Sequence, residues 1–346
     1  MLQTFLATLT PMLTLFTCIA IGFIIKKANI LPDNASSVIA KLITWVLYPA
    51  LSFSTMARFF TINTIKVHMT NIIMCVVSVT LAVLIAIPLS YIFVRKRCYE
   101  RNIYIYAMTF ANSGYMGDPL VQAIFGEEVL SYYKLAGLPI SILIYTWGIS
   151  LLVPKNSIQK GCVLKKIFNP SLIAMFFGMA TGLICGTIID AIPAGSTAYD
   201  MLLPKFIIST LDSLKTCMGP TAMLLAGVTI AKYNFAGMFK KKKVYIATML
   251  RLIVIPAIIL SALFGIKELV NLIFALSIDN TSLILLFFAI ATPLGLNTIV
   301  FPESYGGNPE TGASMTMISH TLCVITIPLM FALVCAILES NTWLPL

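Results

Sequence analysis

Apolar residues in this chain come in runs too long and too unbroken for the faces of a water-soluble protein. Ten runs can be marked, at 4–25, 36–57, 69–94, 102–125, 130–153, 170–190, 203–231, 244–264, 270–302 and 311–338. A helix needs about 20 residues to cross a hydrocarbon core, so each run predicts a membrane-spanning helix. The two longest runs need tilt, breaks or interfacial ends to absorb their excess. The expected fold class is an all-α polytopic membrane protein with ten transmembrane helices.

Two runs are badly built for straight helices. In the fourth, Ala111-Asn112-Ser113-Gly114-Tyr115-Met116-Gly117-Asp118-Pro119-Leu120 gathers two glycines, a proline, an Asn, a Ser and an Asp between apolar flanks. Pro119 cannot donate a backbone hydrogen bond and clashes with the preceding turn, while the glycines loosen the backbone. In the ninth, Ala291-Thr292-Pro293-Leu294-Gly295-Leu296-Asn297-Thr298 has the same character and runs on to Tyr305-Gly306-Gly307. Irregular backbone is tolerated at membrane depth only where protein or a water-filled cavity satisfies it, which marks both stretches as candidate functional sites. The second run carries Tyr48-Pro49-Ala50 and the seventh Gly219-Pro220-Thr221. Pro49 frees a carbonyl that, with Tyr48, either lines a cavity or is healed by the neighbouring Ser and Thr side chains.

The halves read as copies. Shifting Asn112, Ser113 and Phe125-Gly126 by 180 lands on Thr292, Pro293 and Tyr305-Gly306. Five spans per half is odd, so the copies must insert with opposite orientation. The expected organisation is a first five-helix repeat at 1–153, a cytoplasmic linker at 154–169 and a second, inverted repeat at 170–346, with helices 4 and 9 broken and crossing. An inverted repeat with one broken helix in each half is the transporter pattern, its site lying between the breaks. The sixth span adds Gly178, Gly182 and Gly186 at a spacing suited to close helix packing.

Composition agrees: 59% of residues are hydrophobic, 10% are charged and mean hydropathy is +0.96. The net charge of +10 would suit a nucleic-acid partner, but its placement argues for topology instead. Lys26, Lys27, Lys41, Arg95, Lys96, Arg97, Arg101, Lys155, Lys160, Lys165, Lys166, Lys232 and Lys240 to Lys243 fall on one side of the ten-span arrangement. Only Arg58, Lys66, Lys134, Lys205 and Lys267 fall on the other. The rich side is read as cytoplasmic, which puts both termini outside and gives the basic runs to lipid head groups. The first run lacks a basic start and a small-residue cleavage site, so it is expected to be a retained span. Eight cysteines without C-x-x-C spacing and two distant histidines call for neither a disulfide framework nor a metal, and no cofactor is expected.

The residues Asn112-Ser113-Gly114-Tyr115-Met116-Gly117-Asp118-Pro119-Leu120 resemble the N-[ST]-G-x-x-G-x-P-L signature of the auxin efflux carrier family, which includes plant auxin carriers and bacterial malate permease-like proteins. Phe301-Pro302-Glu303-Ser304-Tyr305-Gly306 and the closing Thr326-Ile327-Pro328 resemble the family's ending, and the resemblance spans essentially the whole chain. It implies two inverted halves, crossing broken helices and ATP-independent transport of an organic anion by an elevator-like motion. It also matches Asn112 to the family's carboxylate-contacting Asn and sets Pro119 and Pro293 in its broken stretches. The long cytoplasmic loop of plant carriers is missing, which points to the short microbial type in a bacterial plasma membrane. Homodimers are common among folds of this resemblance.

The candidate substrate-binding residues are Asn112, Ser113, Gly114 and Pro119 at the first break, Thr292, Pro293, Asn297 and Thr298 at the second, and Tyr48 and Pro49 beside them. Half-helix N-termini carry partial positive charge and free N–H groups suited to a carboxylate. No Arg or Lys lies in either break, so dipoles and amides are expected to hold the anion. The alternative is that these side chains only satisfy the broken backbone. Asp118 departs from the motif: it is the proton-coupling candidate, or it caps the half-helix that starts at Pro119. Arg251 is expected to snorkel to the interface. Asp212 and Lys215 are expected to pair locally, Glu127 and Glu128 to be solvated, and His320 to be packed and hydrogen-bonded. No nucleophile–base or metal constellation supports an enzyme, and two unlike breaks do not make the repeated rings of a channel. A substrate-sensing receptor on a transporter fold remains the alternative function.

Overall fold

A computed structural model describes residues 2–153, 170–188, 199–200, 203–232, 242–274, 280–305, 308 and 310–338. The linker expected at 154–169, Lys240-Lys241 and Gly306-Gly307 lie outside them. Among the described residues the chain is helical, and its one β feature is an isolated backbone bridge. In chain order the helices are α1 (Leu2–Lys27), α2 (Ala35–Phe59), α3 (Ile62–Phe93), α4 (Tyr99–Thr109), α5 (Ser113–Ala136), α6 (Leu138–Leu152), α7 (Pro170–Ile188), α8 (Lys205–Ala231), α9 (Lys242–Phe274), α10 (Asn280–Ala291), α11 (Asn297–Tyr305) and α12 (Glu310–Ile337). Six of these (α1, α2, α3, α8, α9 and α12) are long and apolar enough to cross a membrane, or seven crossings if the bent pair α5 and α6 is one span. Large apolar side chains face outward on them, among them Ile24, Leu84, Ile92 and Ile325, as contact with lipid favours.

Prolines shape several of these helices in one recurring way. A wide turn with i→i−5 hydrogen bonding precedes Tyr48-Pro49, Asp118-Pro119 and Ile255-Pro256: Tyr48 N–H bonds the Ile43 carbonyl, Asp118 N–H that of Ser113, and Ile255 N–H that of Leu250. The proline ring clashes with the carbonyl four residues back, and widening the turn relieves the clash without ending the helix. The segment Ile144–Gly148 in α6 has the same wide turn with no proline behind it.

Small residues set the tightest helix contacts. In the α1–α8 contact a Cβ on Gly227 would lie 2.0 Å from the Ile19 carbonyl oxygen, and one on Gly22 would lie 2.3 Å from that of Leu224. The α7–α2 contact repeats the device, with Gly178 and Gly182 each 2.6 Å from the Phe53 and Phe60 carbonyl oxygens by the same measure. Backbones approach this closely in membranes only over glycine.

Gly126, at φ 85°, breaks α5 internally into Asp118–Phe125 and a returning segment. Beside it lies an ionic cluster. Arg58 bonds Glu127 at 3.1 Å, Asp200 at 3.1 Å and Asp212 at 3.4 Å, and Lys215 bonds Glu127 at 2.8 Å and Asp212 at 2.7 Å. The expected Asp212–Lys215 pair is there, but Glu127 is not merely solvated: the fold-back at Gly126 carries it to two cations on α2 and α8. The boundary expected between the eighth and ninth spans also moves. Helix continues to Phe274 through Gly265 and Lys267, because the Lys267 ammonium is buried against Asn280 instead of lying in a loop.

Candidate functional site

The two broken stretches meet. α4 stops at Thr109 and the chain turns extended at Phe110, with φ −106° and ψ 125°. Ala111 then pairs with Leu294 as an antiparallel bridge, and Asn112 N–H donates to the Pro293 carbonyl at 2.7 Å. Each break thereby meets some of the other's backbone hydrogen-bonding needs, which is what hydrocarbon surroundings demand. The Asn112 carbonyl accepts from the N–H groups of Met116 (3.2 Å) and Gly117 (3.0 Å), opening α5. In the second break the Gly295 and Leu296 carbonyls receive the Thr298 and Ile299 N–H groups and open α11.

The Asn112 side chain is 2% exposed. Its amide lies 3.2 Å from His320 Nε2, and His320 Nδ1 lies 2.8 Å from the Thr316 carbonyl. A carbonyl only accepts, so Nδ1 carries the proton and Nε2 accepts from Asn112. His320 is thus packed and hydrogen-bonded as expected, with its Nε2 against the Asn112 amide.

Arg251 differs from expectation. It is 2% exposed, and its guanidinium donates to the carbonyls of Ile290 at 2.6 Å and Thr292 at 3.3 Å. These carbonyls end α10, where an orphaned acceptor has no helical partner and where the dipole favours a cation. Snorkelling is overturned because the break supplies acceptors within reach inside the protein.

A cleft of about 780 Å³, counted with its opening, lies at the crossing. From the first break it is lined by Asn112, Ser113, Gly114, Tyr115 and Asp118; from the second by Gly295 and Asn297; and from α2 by Tyr48. These bring together six of the residues expected from sequence. The others lie behind the lining. Pro119 packs on Gly219, where an added Cβ would lie 2.8 Å away. Thr298 donates to the Gly295 carbonyl at 2.8 Å and meets the Thr316 hydroxyl at 3.1 Å. Thr292 is fully buried, Pro293 contributes its carbonyl to Asn112, and Pro49 is not among the lining residues.

The main departure is Lys134. Read from sequence it counts as a loop cation on the basic-poor side; in the structure it is 7% exposed, lines the cleft and pairs with Asp118 at 2.5 Å. The carboxylate of Asp118 goes to this ammonium, not to a capping role. Lys134 also stands 4.5 Å from the Tyr48 ring centre, within cation–π range. Tyr133, Tyr145, Ser52, Ser141 and Ser171 complete the polar lining. One sequence signal could have found the pair. Asp118 and Lys134 sit equal distances before and after Gly126, the lone acid and lone base of two adjacent apolar segments.

A family model described as membrane transport protein matches residues 7–331 of the chain. A search of curated proteins finds no match.

Proposed function

The chain belongs to the membrane transport protein family, the family its crossover motifs resemble, and from that premise we propose that it is a secondary transporter of a small organic anion, bound in the cleft at the crossed breaks. Members of this family move solutes rather than transform them, and the chain is an integral membrane protein. The observation that carries the proposal is the convergence of two half-helix N-termini, α5 and α11, on one cleft that also holds Lys134. Helix N-termini present free N–H groups and partial positive charge, and the ammonium adds a full one. Tyrosines and Ile144, Leu172 and Met175 supply an apolar body to the cleft, which suits a carboxylate on a compact organic frame.

We further read the chain as ten spans in two inverted repeats, 1–153 and 170–346, joined by a cytoplasmic linker, with both termini outside a bacterial plasma membrane. Two features support the repeat. The glycine-mediated contacts α1–α8 and α7–α2 exchange if the first two spans of one half are superposed on those of the other. If the repeat's two-fold axis passes through the Ala111–Leu294 bridge, residue n falls on n + 183, since 294 − 111 = 183. That shift would place Pro119 on Pro302, both inside the half-helices that follow the breaks, three residues from the register of 180 read from sequence. On this reading α1, α2, α7 and α8 form a frame past which the crossover moves in an elevator-like step, within a chain that functions alone or as a homodimer.

The test is thermal denaturation of the purified protein with acetate, lactate, malate, benzoate and indole-3-acetate, repeated with Asn112→Ala, followed by flux into proteoliposomes. A ligand at about 100 times its Kd stabilises by ~2.7 kcal/mol. A carboxylate that stabilises the parent but not the variant, and accumulates in vesicles, supports the proposal. Binding without flux favours the receptor; no shift with any member overturns the anion reading.

A further inference from the structure

Among the described residues lining the cleft, Asp118 is the one acid and Lys134 the one base. Their side chains are 3% and 4% exposed, and the charged atoms are 2.5 Å apart. Sixteen residues of straight helix would hold them about 24 Å apart. The positive φ of Gly126 folds the chain back and makes the contact. Facing the pair are the phenols of Tyr48 from α2 and of Tyr133, with the Cys75 thiol of α3 behind Tyr133. α8 brings Gly219 against Pro119, and α10 brings Ala289 to the cleft; neither titrates.

As it stands the pair has zero net charge, and a buried charge is tolerated only when it is compensated. An anion entering beside it would add one uncompensated negative charge in a poorly solvated space. The cleft contains a remedy. If a proton adds to the Asp118 carboxylate, the acid becomes neutral and the Lys134 ammonium is free to pair with the incoming carboxylate. Net charge is zero before and after, and no covalent bond other than O–H forms. We propose that Lys134 is the anion-pairing residue of the cleft and that Asp118 occupies it until a proton arrives, so that one proton and one anion enter the cleft together. This rests on the reading of the cleft as the anion site, and adds the residue that recognises the charge and the reason for coupling.

The test uses the full-length protein and the panel member that binds the parent most tightly, between pH 6 and 8, where simple carboxylates stay ionised. Linkage fixes the sign: binding that takes up one proton weakens about tenfold for each unit rise in pH above the carboxyl's own titration. The parent should show that slope and take up about one proton per anion in weakly buffered solution. In Asp118→Asn the side chain no longer holds the ammonium, so affinity should become flat with pH and at pH 8 exceed the parent's by about tenfold or more. Lys134→Gln should weaken binding by at least about tenfold at every pH, and Lys134→Arg should restore most of it. Zero proton uptake by the parent overturns the inference without any variant, as does sodium-dependent binding that is flat with pH. A slope in Asp118→Asn as steep as the parent's also overturns it, while loss of binding in Asn112→Ala keeps the site itself standing. Absence of binding by every panel member overturns both.

Discussion

The two breaks begin from similar sequence and end in opposite surroundings. The first opens outward: Asn112, Ser113, Gly114 and Asp118 line a cleft, and a lysine from the following segment joins them. The second is largely closed on itself, with Arg251 across the end of α10, Ser319 against the Leu294 N–H at 3.3 Å, and Thr298 engaged by Gly295 and Thr316. Only Gly295 and Asn297 of that break reach the cleft. A broken helix needs substitutes for its lost hydrogen bonds. Where neighbouring helices supply them all, the break becomes a rigid backing; where they do not, polar groups stay free for a ligand. Here Arg251 of α9 and Thr316 and Ser319 of α12 brace the second break, while side chains of the first line the cleft.

The sharpest way to break this contrast is to remove the brace. Arg251→Met should leave the Ile290 and Thr292 carbonyls unpaired and destabilise the protein by roughly 2–6 kcal/mol, since each orphaned buried acceptor costs ~1–3 kcal/mol. Denaturation in detergent would read this as a large fall in midpoint, with ligand binding lost alongside; an unchanged midpoint would show that the second break stands without its guanidinium. Gly114→Ala acts on the open side. Its methyl would sit 2.6 Å from the Tyr48 hydroxyl, the far end of a side chain that can swing away. The expected stability loss is therefore only about 1 kcal/mol, while carboxylate affinity falls because Tyr48 is displaced from the lining. Retained affinity would remove Tyr48 from the site. Thr298→Val is the mildest test. It deletes two buried hydroxyl bonds at a cost of about 1–2 kcal/mol and should leave affinity unchanged, so a selective loss of binding would move Thr298 from backing to site.

Much of this was legible along the chain because membranes simplify it. Long apolar runs, two interrupted by Gly, Pro and Asn, have few foldings open to them, and the breaks and the close glycine contact of α7 follow from that constraint. Lys134 and Arg251 were misread for one shared reason. A single cation near the end of an apolar run is by default interfacial, and its partner lies in another segment: Asp118 beyond the Gly126 turn in one case, backbone carbonyls of α10 in the other. Glu127 was misjudged likewise, since Arg58 and Lys215 reach it from α2 and α8.

The sequence alone determined that the chain lives in a membrane, where its helices must break, and that the broken stretches carry its polar chemistry, because hydrophobicity and backbone preference are local properties. Which break faces a cleft, which is sealed, and that the cleft contains a lysine held by an aspartate were decided by tertiary structure. Those facts depend on which groups, distant in sequence, come within hydrogen-bonding reach, and in a low-dielectric interior a charge is placed by its partner rather than by its position in the chain.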